Sequence, residues 1–197
     1  LEHPFLECDI VSTFDLQSLN GLAGSSVFTF LKGKVALDIV FKGPVSGRDS
    51  IASNINGSLN ISDAGIRYRP RDFLLSDCNG TFRFNNNNLS VPRLTATAGK
   101  TKLQMTANAR NFLSMLDVSP EKLVMNWKIS SPHIWLEDFK GFLSRGKTEK
   151  PADGTKFGTT SAKVDKLFSE GDVYISLSSP VMEYKTFRAL GVEANVV

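Results

Sequence analysis

The residues with chemistry beyond simple hydrogen bonding are few in this 197-residue sequence: two histidines, two cysteines and 20 carboxylates. His3 and His133 stand in no His-x-x-His or His-Glu-x-x-His spacing. Neither a zinc site nor a Cys–His nucleophile is indicated. His133 follows Pro132 at the start of an expected helix and reads as a surface or capping residue. Cys8 and Cys78 fit no metal spacing. They read as two half-buried thiols, with a disulfide open to them in an oxidising compartment. Asp63 and Asp77 lie close to Gly and Asn, where carboxylate oxygens hold turn amides. The opposed carboxylates of a glycosidase need not be neighbours in sequence, but nothing here selects a pair. Gly21, Gly24 and Gly33 do not form a phosphate-cradling Gly-x-Gly-x-x-Gly or Walker pattern. No catalytic, cofactor-binding or metal-ligating residue is nominated. The expectation is a protein that is not an enzyme and carries no cofactor.

Charge narrows the partners. The net charge is +3. Nucleic-acid binders gather Lys and Arg on one face, whereas the 23 basic residues here are spread among acids. No nucleic-acid partner is expected. Lys32, Lys34 and Lys42 flank strands, as charges guarding a sheet edge do. Arg145, Lys147, Lys150 and Lys156 are mixed with Glu149 and Asp153 and point only weakly to a membrane surface. The aromatic set is lopsided, with 14 Phe against 3 Tyr and 2 Trp. Phe has no polar handle, so this set suits an apolar surface.

The elements that would carry that surface are strands. Val35, Leu37, Ile39 and Phe41 alternate with other residues, as do Ile55, Gly57, Leu59 and Ile61. Asp63-Ala64-Gly65 is expected to turn the chain, and Pro70 to interrupt the short strand starting at Ile66 and Tyr68. Asp77-Cys78-Asn79-Gly80 reads as a hairpin turn, since Asn-Gly favours left-handed backbone. Phe82 and Phe84 then alternate, Asn86-Asn87-Asn88 turns, and Leu89 and Val91 follow. Leu94, Ala96 and Ala98, a turn at Gly99-Lys100, and Leu103, Met105, Ala107 and Ala109 complete the run. The change of parity near Pro92 predicts a bulge. Later strands are expected at Leu123 to Ile129, from Asp172, and at Val192 to Val196.

Three short helices are expected: one over Asn111–Leu116, one from Ser131 as cap and Pro132 as first residue to Leu143, and one over Ser161–Ser169. Residues 144–159 read as a surface loop. The expected fold is mainly β: a curved antiparallel sheet, as meander or groove, with two or three short covering helices. It forms one β-rich segment over 1–197, with the meander at 33–116, a helical insertion and loop at 131–170, and returning strands at 171–197. Because the last residues still read as strand, the sequence looks like a length of a longer sheet.

One set of positions would share a face: Phe41, Leu59, Ile61, Phe82, Phe84, Leu89, Val91, Leu103 and Met105. They would either seal a core or line an open apolar groove for acyl chains. Periodicity does not separate the two.

Several consecutive stretches resemble a known family. These are Gly57-Ser58-Leu59-Asn60-Ile61, Gly65-Ile66-Arg67-Tyr68, Leu75 to Phe84, Asn87 to Val91 and Leu94 to Gly99. In that order they are similar to the C-terminal region of the AsmA family of bacterial envelope proteins, distantly related to TamB. The likeness covers 33–116 and resumes over 172–197. It implies a periplasmic β-groove with an apolar interior, in a full-length protein anchored in the inner membrane. It implies phospholipid or another acyl lipid as partner, with lipid transport and outer-membrane biogenesis as the role. Neighbouring segments of the same protein and other envelope proteins are further implied partners. The family brings no catalytic residues. The rival readings are a structural or protein-interaction β module with a closed core and, last, a hydrolase on a β scaffold.

Overall fold

Alternating apolar and polar residues suit a backbone whose side chains point to opposite faces in turn, and nearly every such stretch is a strand in the computed structural model. It describes residues 5–22, 28–44, 54–112, 123–143 and 172–196. The strands are β1 (Phe5–Asp15), β2 (Phe28–Pro44), β3 (Ile55–Tyr68), β4 (Phe73–Asn85), β5 (Asn88–Ala98), β6 (Thr101–Arg110), β7 (Val124–Ser130), β8 (Ile134–Trp135), β9 (Asp172–Tyr184) and β10 (Phe187–Val196). All ten lie in one sheet, ordered β1-β2-β3-β4-β5-β6-β7-β9-β10, with β8 also paired to β9. The fold is mainly β, a single curved sheet whose edges β1 and β10 do not close on each other.

Neighbours are antiparallel from β1 through β7 and again in β9–β10. The exception is β9, which runs parallel to both β7 and β8. β7 and β8 follow one another along the same side of β9, with Ser131–His133 between them. Ser131 N–H still reaches Ser178 O at 3.1 Å. Pro132 has no N–H to give and breaks the ladder. A parallel neighbour requires a crossover, and the chain begins that crossover through a 3₁₀ turn, Leu136–Phe139, and α2 (Lys140–Leu143).

That differs from the helix expected from Ser131. Ile134 and Trp135 are strand, because they find an open flank on Met182 and Glu183, and helix starts after them. Ser131 starts no helix; its hydroxyl donates to His133 O at 2.8 Å and accepts from His133 N at 3.3 Å. The expected helix after Asn111 and the one over Ser161–Ser169 fall outside the described residues apart from Asn111 and Phe112. A helical turn not expected from the sequence, Leu16–Ser18 followed by α1 (Leu19–Leu22), joins β1 towards β2. It is anchored by Asn20, whose side chain both accepts from Phe30 N at 2.9 Å and donates to Phe30 O at 2.8 Å.

Two expected turns are bulges. Asp63-Ala64-Gly65 lies within β3, and Asp77-Cys78-Asn79-Gly80 within β4. The left-handed residues are there, Asp63 at φ 50 and Asp77 at φ 50, but each absorbs one extra residue without reversing the strand. The neighbouring strands match them. β2 is irregular around Gly33, where φ is 123, and an added Cβ would lie 2.7 Å from Ala64 Cα. Asp63 N–H donates to Asn79 Oδ1 at 3.0 Å, tying the bulge of β3 to that of β4. Bulges in adjacent strands bend and twist the sheet along a line. Tight reversals with positive φ lie at Asp72, which ends the Arg69–Arg71 turn between β3 and β4, and at Asn86, Gly99 and Lys185, and the bulge expected near Pro92 lies between Val91 and Leu94.

Candidate functional site

Residues paired across strands point to the same side of the sheet, so the register shows which side chains share a face. One row runs Phe14, Val35, Ile61, Gly80, Leu94, Met105, Ile129, Leu177, Ala194. A second runs Ile10, Ile39, Gly57, Phe84, Leu89, Ala109, Met125, Val173. Val91, Ala107, Trp127, Ile175 and Val196 make a third. Leu37, Leu59 and Phe82 pair in another, and Cys8, Phe41 and Ile55 in another. These rows are apolar almost without interruption. The intervening rows carry Asn, Ser, Thr and charge, as in Asp38–Ser58–Arg83–Ser90–Asn108.

The nine nominated positions therefore fall on this single face, but in two environments. Ile61, Val91, Leu103 and Met105 are buried. Phe41, Leu59, Phe82, Phe84 and Leu89 are only half-buried. Val35, which contacts none of the solvent at 0% exposure, marks the covered side. It belongs to one cluster with Leu16, Ile61, Ala64, Cys78, Leu103 and Met105, onto which Leu19, Phe73 and Phe139 pack. A second, smaller cluster joins Ala109, Leu123 and Met125, with Phe112 and Leu89 against it. Leu37, Ile39, Phe41, Phe82 and Phe84 lie outside the fully buried set, along the halves of β2–β4 that face the β4–β5 turn. At the edge, Leu6 and Ile10 of β1 are exposed on the same face. β1 itself was not foreseen, although Leu6, Cys8 and Ile10 alternating with Glu7 and Asp9 is the same signal.

The covered side is held by one carboxylate. Asp138 Oδ2 accepts from Lys100 N at 2.9 Å, Thr101 N at 3.0 Å and Thr101 Oγ1 at 2.8 Å. Thr101 Oγ1 in turn accepts from Trp135 N at 3.0 Å. Gly99 lies so close that a Cβ there would stand 2.2 Å from Asp138 Oδ1. Asp138 thus staples the 3₁₀ turn onto the β5–β6 reversal, and Phe139 beside it packs on Phe73 with ring centroids 5.6 Å apart. The role imagined for Asp63 and Asp77, holding turn amides, belongs to Asp138. Asp77 instead faces Lys32, 3.4 Å away.

The remaining chemistry-bearing residues sit in structural roles. Cys8 and Cys78 are both free. Burial, with Asp77 adding to it, pushes the Cys78 thiol up to about 11. A thiol that holds its proton so firmly is a poor nucleophile. His133 stacks on Trp135, centroids 4.1 Å apart and planes 8° off parallel. Its Nε2 lies 3.4 Å from Glu183 Oε2 without hydrogen-bond geometry. Lys42 pairs with Glu7, and that hydrogen bond raises the lysine's affinity for its proton. The other expected edge lysine, Lys34, is exposed. Gly33 lies within β2 and serves the bulge. Among the described residues no group of His, Cys, Asp and Glu could hold a metal ion, and no helix is long and apolar enough to cross a membrane.

Family models, curated proteins and solved structures were compared with this chain, and none matches.

Proposed function

We propose that the apolar sheet face shields the acyl chains of a phospholipid or other acyl lipid, and that the chain is a periplasmic segment of an AsmA-like envelope protein. On this reading the full-length protein is anchored in the inner membrane and moves lipid toward the outer membrane without covalent chemistry. The observation that carries it is the half-buried stretch Leu37, Ile39, Phe41 and Phe84, which continues the apolar face beyond Phe82, a residue packed against the core. Water against such a surface is unfavourable, and each acyl CH₂ that replaces it gains about 0.8 kcal/mol. A row of rings and branched chains with no fixed polar anchor lets a chain slide, since no single contact dominates. The resemblance over 33–116 supports the same reading. The test is native mass spectrometry after gentle extraction: a co-purified lipid mass, lost in a Phe41→Asp/Phe84→Asp variant, is expected. Lipid-free protein that also takes up no fluorescent phospholipid would defeat the proposal.

A second reading, a protein-interaction β module, is favoured by the edge strand β10. Phe187, Leu190 and Val196 are 61%, 72% and 58% exposed, and an unpaired edge invites strand addition. A longer chain whose sheet continues past β1 or β10, with no lipid bound, would favour it.

A further inference from the structure

The polar side of the sheet holds a feature that a lipid-shielding role does not use. Val91 pairs with Ala107 and Leu94 with Met105, so Pro92 and Arg93 face the single residue Thr106. This bulge bends β5 away from β6 and leaves a depression of about 750 Å³, which continues over β7, β9 and β10. That volume suits a ligand of several rings. Two polar rows cross its floor at strand spacing. One is Thr106, Lys128, Ser176 and Asn195; the other is Gln104, Ser130, Ser178 and Glu193.

We propose that this depression binds an anionic oligosaccharide, a sugar chain bearing carboxylate or phosphate groups. Arg93 stands at one end, on β5, and Lys128 in the middle, on β7, and both line it. Elsewhere on the sheet Lys32, Lys42, Arg67 and Arg188 are each paired with a carboxylate, Asp77, Glu7, Asp72 and Glu183 in turn. Arg93 and Lys128 have no ion pair or hydrogen bond among the described residues. Two free cations select a ligand with separated negative groups, and Arg binds a carboxylate or phosphate through two parallel N–H groups. Serine, threonine and amide side chains between and beyond them supply the neutral donors and acceptors that sugar hydroxyls need. Glu193, at the far end, accepts from sugar hydroxyls.

Tyr174 is an independent sign. It stands two residues before Ser176 on the same face, paired with Asn126, and is 42% exposed. An aromatic ring left facing water beside a polar trough offers a flat surface to the C–H side of a sugar. Over β5, β6, β7 and β9 an added peptide strand is a poor fit, because these inner strands already have both neighbours. The inference stands apart from lipid shielding, which uses the opposite face.

Amide NMR titration of the folded chain with tetragalacturonate, a carboxylate-bearing sugar chain, tests it, with maltotetraose as the neutral counterpart. Shift changes confined to the polar residues of β5, β6, β7, β9 and β10 are expected. Arg93→Gln/Lys128→Gln should weaken binding at least about tenfold, the loss of two charge-assisted contacts. Tyr174→Ala should weaken it several-fold, and Lys34→Gln, on distant β2, should leave it unchanged. The proposal is overturned if tetragalacturonate produces no shifts at millimolar concentration, if maltotetraose binds equally well, or if the double variant binds like the parent while its spectrum remains folded.

Discussion

Where β5 turns into β6, the apolar face disappears beneath Leu19, Phe73 and Phe139, and Val35, Ala98 and Thr101 are 0% exposed. On the halves of β2–β4 nearest the β4–β5 turn, the same alternation leaves Leu37, Phe41, Phe82 and Phe84 half-buried. Register and residue type are alike in both regions. Among the described residues the difference is what lies on top, and that is set by a few polar groups rather than by the apolar ones. Asp138 fixes the 3₁₀ turn over one end, and Asn20 fixes the Leu16–Leu22 turn over the same end. Covering a sheet face requires ordering a segment above it, and hydrogen bonds to strand backbone supply that order here.

The contrast can be broken at its covered end first. Met105→Ala should cost about 2–5 kcal/mol, because the buried thioether leaves a cavity that a stiff sheet cannot close. Phe84→Ala, on the same face but half-buried, should cost about 1–2 kcal/mol, since part of the ring already meets water. Urea unfolding of the two variants measures the gap, and equal costs would mean that both regions are core. Next in size is Asp138→Ala. It strands the buried Thr101 amide and hydroxyl and should cost about 1–3 kcal/mol. The same change should raise hydrogen exchange at Lys100 and Thr101 while leaving Phe41 and Phe82 amides as they were.

A smaller effect comes from pH. Burial chiefly pushes the Cys78 thiol up to about 11 in the fold, above its ordinary 9.0. The unfolded chain therefore loses this proton first as pH rises. Stability is intact below about pH 9 and falls through the window up to about 11. Cys78→Ala should flatten that fall, and at pH 8 iodoacetamide should label Cys8 well before Cys78. The smallest effect is expected at Lys32, exposed with Asp77. Lys32→Gln should shift stability by less than about 0.5 kcal/mol and lose even that in high salt.

The sheet face was legible because its signal is local: apolar residues alternate with polar ones along long runs of β2 to β7, and pairing adds only a register. All nine positions from Phe41 to Met105 share it for that reason. The bulges at Asp63 and Asp77 were read as reversals because left-handed Asp and Asn-Gly look alike in a turn and in a bulge. Telling them apart requires the partner strand, as Asn79 accepting from Asp63 shows. The parallel place of β9 was hidden, since it depends on a crossover rather than on any neighbouring residue. Asp138 was hidden as well. Its three donors come from residues 37 and 38 positions away. The polar depression at Arg93 was half legible: Pro92 announced the bulge, but the rows from β7, β9 and β10 that line it come together only in the fold.

The claim that the uncovered stretch shields acyl chains has one direct measurement. A photo-crosslinking residue is placed at Phe41 or Phe84 on the apolar face and, separately, at Arg83 or Asn85 on the polar face, and the protein is irradiated with phospholipid vesicles. The account predicts lipid adducts at Phe41 and Phe84 and none at Arg83 and Asn85. Equal labelling of the two faces, or none at all, would contradict it.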